Sequence, residues 1–122
     1  RPLGRGLHPP SGRECLWVTT VPGEVFAHDP KRGELVERWS LAERGAPGGW
    51  TRGLCVLDDG LLVGTTRIRA SSADYFARWS DVKGAESRSA ISYLPFNARG
   101  ATSVDVLHER SAKVFSILRW PG

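Results

Sequence analysis

The tripeptide Arg5-Gly6-Leu7 returns as Arg52-Gly53-Leu54, and Lys113-Val114-Phe115 begins the pattern a third time. In nearly the same register Leu16-Trp17-Val18-Thr19-Thr20 lies opposite Leu62-Val63-Gly64-Thr65-Thr66, and a turn at Gly33 lies opposite one near Gly100. A chain that repeats itself builds each copy as one supersecondary unit. Such a unit cannot cover its own apolar faces and buries them against its neighbours. The repeat therefore predicts stacked units rather than a single wrapped core.

Each copy reads as four short strands. In the first, apolar runs end at Pro9-Pro10, Pro22-Gly23 and residues 30–33, where proline or glycine supplies dihedrals that a central strand does not tolerate. The second repeats the order with strands over 51–57, 61–67, 90–96 and 102–107. Leu61-Leu62-Val63-Gly64 is a continuous apolar run, as expected of a strand covered on both sides. Ser103-Val104-Asp105-Val106 alternates, as expected of an outer strand with one wet side. A repeat of about 40 to 50 residues made only of strands is the signature of a β-propeller blade. The expectation is an all-β partial propeller over residues 1–122. It comprises two four-stranded antiparallel blades, at about 4–41 and 50–107, and the first strand of a third at 113–118. A short helical insertion at 69–89 interrupts the second blade.

Two blades cannot close a ring, since propellers usually have four to eight. Methionine is absent, including at position 1, so the chain is read as a processed product or a part of something longer. The remaining blades are expected in a parent protein, or additional copies of the chain complete the ring. No apolar run approaches the roughly 18 residues that span a bilayer, and no membrane partner is expected. The net charge of +4 comes from 14 arginines and 3 lysines against 13 acids. These bases are scattered, with no Lys/Arg run, and are read as compositional bias rather than as a nucleic-acid surface. Cys15 and Cys55 lie on separate strands in apolar surroundings and are expected to be buried free thiols.

The unequal loops locate the chemistry. In a four-stranded blade, the first and third turns share one end of the sheet, and the second turn and the link to the next blade share the other. Both long connections, residues 42–50 and 68–89, belong to that second end, and long ordered loops tend to be functional. In the insertion, Ser71 and Asp74 have capping-box spacing, and Tyr75, Phe76 and Trp79 put three rings on one side of a short helix, a lid over the channel. At the same end the candidate ligand-binding residues are Trp50, Arg52, Arg67, Arg69 and Lys113, with Arg5 matching Arg52 and Lys113 in the repeat. Arginine presents a planar fork of donors suited to carboxylate, phosphate or sulfate, so a ring of these residues would make an anion-receiving mouth. The same arginines would serve equally well as seam-closing partners of nearby acids such as Glu43, Asp74, Glu86 or Glu109. The histidines at 8, 28 and 108 form no constellation, although His108-Glu109 has the composition of a base beside a carboxylate. No motif calls for a metal or a cofactor.

The stretch Leu16-Trp17-Val18-Thr19-Thr20, with Gly23-Glu24-Val25-Phe26 and Asp29-Pro30-x-x-Gly33-Glu34, resembles blades of NHL-type, gluconolactonase-like and related bacterial propellers. The resemblance covers residues 15–41 well and the second copy more loosely. It implies the fold, and is shared by lactonases, lyases, cyclases and binding modules alike. Gluconolactonase-like members hold a divalent metal at the channel on Glu, Asn and Asp, whereas the strand starts here carry Arg52 and Lys113. The expected function is binding of a small anionic ligand or acidic peptide at the loop-bearing end. The alternatives are a lactonase or lyase whose catalytic groups lie partly outside this chain, and a scaffold for protein contacts.

Overall fold

The computed structural model describes residues 3–68, 87–105 and 117. Eight strands follow one another: β1 (Leu3–His8), β2 (Arg13–Thr19), β3 (Glu24–Asp29), β4 (Glu34–Ser40), β5 (Trp50–Val56), β6 (Gly60–Thr66), β7 (Ala90–Pro95) and β8 (Thr102–Asp105). They make two four-stranded sheets in the orders β1-β2-β3-β4 and β5-β6-β7-β8, every strand antiparallel to its sequence neighbour. Among the described residues there is no helix. The helical insertion expected at 69–89 lies outside the described residues except for 87–89, which are not helical, and the third-unit strand expected at 113–118 lies outside them except for residue 117.

Period-two patterning decides which face each strand buries. In the first sheet Cys15, Trp17 and Thr19 of β2 and Val25, Ala27 and Asp29 of β3 point inward, against the second sheet. Leu54, Leu61, Val63 and Leu94 answer from the second sheet and join the same apolar cluster. β6 is buried along nearly its whole length, as its continuous apolar run predicts. β8 alternates in the opposite sense to a dry-valine strand. Its register on β7 sets Ser103 against Ser92, their hydroxyl oxygens 2.8 Å apart, and so turns Val104 outward. Both cysteines are free and buried.

The two sheets meet closely at β1 and β5. Small side chains line this seam and large ones fill the space beyond it. On β1, Gly4 and Gly6 face Val56 and Leu54 so directly that a Cβ at Gly6 would lie 2.3 Å from a Val56 methyl. Further out, Trp17 of β2, Trp39 of β4 and Phe96 after β7 form a three-ring cluster with centroids 5.4, 5.5 and 5.8 Å apart. Arg44 closes it, with its guanidinium 3.7 Å over the Trp39 ring and a hydrogen bond of 2.9 Å donated to the Ala98 carbonyl. Burial lowers the Arg44 pKa, with Arg99 adding to and Glu37 opposing the shift. The connection 41–49 is therefore anchored first at the β7–β8 turn. Only its last residues reach the other end of the second sheet, where the Arg88 amide donates to the Gly48 carbonyl at 3.1 Å.

The repeated Arg-Gly-Leu does not occupy equivalent ladder positions. Arg5 pairs with Leu16 on β2, whereas Arg52 pairs with Gly64 on β6. Gly53 is the cause: at φ 78° it makes a one-residue bulge between Arg52 and Leu54, which shifts the β5–β6 register. Neighbouring Gly4 and Gly6 face the second sheet, so Arg5 points away from it. Thr51 donates its hydroxyl to the Val21 carbonyl of the first sheet at 3.3 Å, so Arg52 points away from the first sheet. The two arginines stand on opposite outer faces of the pair. The expected match of Arg5 with Arg52 at one mouth is corrected accordingly.

Candidate functional site

Three of the five sequence-selected ligand residues are described, and all three sit at one end of the second sheet. Trp50 opens β5 and pairs with Thr66 at the close of β6; Arg67 follows Thr66 directly. Trp50 and Arg52 are two residues apart on one strand and therefore share a face, which places the Arg52 guanidinium 5.8 Å from the Trp50 ring centroid. Both arginine side chains are exposed. Arg69 and Lys113, and the lid rings Tyr75, Phe76 and Trp79, lie outside the described residues.

Backbone stitching fixes this end. The amide of Arg67 donates to Ser89 Oγ at 2.9 Å and that of Ile68 to Ser87 Oγ at 2.8 Å. Thr65 Oγ1 donates to the Arg88 carbonyl at 3.0 Å. Two serines and a threonine thus hold the outgoing and returning arms of the 67–89 connection together, so that it leaves the sheet through a narrow neck. Arg88 in turn donates its Nε to Asp105 Oδ1 at 2.8 Å, tying the neck to β8. Arg88, a residue that the sequence pattern did not single out, thus pairs with an acid within the second sheet rather than across the seam between the sheets.

The first sheet carries a cluster of its own. His8, only 4% exposed, ends β1 with Nδ1 2.8 Å from Ser11 Oγ, Nε2 hydrogen-bonded to Glu37 of β4, and its ring 5.9 Å from that of Trp17. Hydroxyl, imidazole and carboxylate in a row resemble a nucleophile with its base and orienting acid. The turn lacks the donors that acyl transfer would require. Pro9 and Pro10 have no N–H, the amides of Ser11 and Gly12 bond to His8, and that of Arg13 bonds to Ser11 Oγ. The cluster clasps the β1–β2 turn to β4. Glu37 lies 29 residues from His8, so no local motif announces the pairing.

Beneath the β3–β4 turn the Cys15 thiol is pushed up from its ordinary range by burial and by Asp29, against the opposing effect of Arg13. Burial and a raised pKa both disfavour its thiolate form. Among the described residues, no three His, Cys, Asp or Glu side chains are grouped as a metal site. Comparison of the chain with protein-family models, curated proteins and solved structures finds no match.

Proposed function

We propose that the two sheets are neighbouring blades of a β-propeller, and that the end carrying the long connections receives a small anionic ligand or an acidic peptide. Strictly sequential strand order within each sheet supports the first half. So does the seam, narrow at Gly4, Gly6 and Val56 and filled further out by Trp17, Trp39 and Phe96, a taper that suits sheets arranged around an axis. The remaining blades, or other copies of the chain, cover the outer faces, where Leu7, Leu35 and Val104 are 60%, 53% and 67% exposed. Replacing Leu7 and Leu35 together with serine is expected to reduce self-association of this chain in sedimentation velocity. An unchanged distribution of species would mean that this face is not a blade-to-blade surface.

The observation that carries the ligand reading is that Arg52, with its guanidinium 5.8 Å from the Trp50 ring centroid, and Arg67 both lie at the sheet end from which the insertion departs. A guanidinium beside an indole keeps its planar fork of donors oriented, which suits a carboxylate or a phosphate. Removing a charge-assisted contact costs about 1.5–3 kcal/mol, so Arg52→Ala combined with Arg67→Ala should weaken an anionic ligand at least about tenfold. Affinity for a mixture of acidic peptides, read by fluorescence anisotropy, tests this. Equal affinity of the variant and the natural sequence would remove the reading.

A further inference from the structure

A second basic cleft lies at the opposite end of the first sheet, beside the β1–β2 and β3–β4 turns. It encloses about 480 Å³ and is bordered by Arg5, Arg13, Lys31, Arg32, Glu14 and Asp29. That volume falls in the range of small-molecule sites. Its charges do not cancel: with Glu34, which pairs with Arg13, four cations face three carboxylates, an excess of one positive charge. The pairing shows where the excess resides. Arg5 Nε is 3.5 Å from Glu14 Oε1, Arg13 Nε is 3.7 Å from Asp29 Oδ2, and Arg13 Nη1 is 2.9 Å from Glu34 Oε2. Lys31 and Arg32 have no carboxylate within ion-pair distance among the described residues.

The backbone that carries these two cations is held in place. Asp29, 6% exposed, accepts the amides of Lys31 at 2.9 Å and Arg32 at 3.2 Å through Oδ1, and its carbonyl accepts the Gly33 amide at 2.8 Å. The turn is preformed by its own aspartate, so binding an anion there does not require ordering the backbone. We propose that this cleft binds a small phosphomonoester, whose dianion matches the two cations that have no carboxylate partner among the described residues and whose oxygens match the fork of Arg32 and the ammonium of Lys31. The site is separate from the one built on Trp50, Arg52 and Arg67, and does not depend on it.

Calorimetric titration of the chain with glucose 6-phosphate, and with glucose as the uncharged control, tests the assignment. Saturable binding of the phosphate ester, none of glucose, and weakening with rising salt are expected. Lys31→Ala with Arg32→Ala should lower affinity at least about tenfold. Lys31→Gln with Arg32→Gln should do the same with the turn's backbone bonds left intact, and the loss should be as large when Arg52 and Arg67 are already alanine. Non-saturable binding, equal binding of glucose, or affinity unaffected by both Lys31/Arg32 variants overturns the proposal. Loss confined to the Arg52/Arg67 variant also overturns it, and supports the other end as the anion site.

Discussion

Trp17→Ala is expected to destabilise the chain by about 3–5 kcal/mol, the usual cost of deleting a large aromatic ring from a packed interior. Trp17 is 1% exposed and touches three other rings, those of His8, Trp39 and Phe96, the last from the second sheet. Its indole N–H also donates to the Gly6 carbonyl on β1 at 3.3 Å. One substitution therefore opens a cavity between the sheets and releases a hydrogen bond within one of them. Domains of this size commonly have only about 5–15 kcal/mol in reserve, so the variant should unfold at markedly lower urea concentration. A midpoint within error of the natural sequence would mean that the sheets do not pack on each other through this ring.

Gly6→Ala should cost about 1–3 kcal/mol, because the added methyl would overlap Val56 across the seam. Valine is branched at Cβ and cannot swing aside. The informative measurement is a double-mutant cycle with Val56→Ala, in which the two changes should compensate by about 1 kcal/mol or more. Simple additivity in urea unfolding would show that β1 and β5 are not in close approach at this point. Gly4, whose Cβ would lie 2.6 Å from Val56, should behave in the same way but less severely.

The strands were readable because their signals are local. Each turn carries proline, glycine or aspartate at its bend, and each buried face follows from alternation over a few residues, so the strands expected at 51–57, 61–67 and 90–96 coincide to within one residue with β5, β6 and β7. β8 shows the limit of that reasoning. Its alternation was visible, but which half faces inward depended on pairing with β7, and Ser92 drew Ser103 inward and left Val104 in water.

The candidate site divides the same way. Trp50 and Arg52 share a face because they are two apart on one strand, which any reader of the chain can count. Arg5 defeated the counting, because the bulge at Gly53 offsets β5 by one residue and turns the repeated arginine to the other side of the pair. The clasp of His8 with Glu37 and the cleft at Lys31 and Arg32 combine residues from different strands and turns, and no spacing in a single strand encodes them.

Sequence alone determined that this chain makes two runs of four antiparallel strands, since turn chemistry and period-two burial act over a few neighbouring residues. Tertiary structure alone decided which arginines meet and which stand apart. Facing is a property of ladder register and sheet packing, and a single bulge or one serine pair changes it without altering the pattern that the strands display.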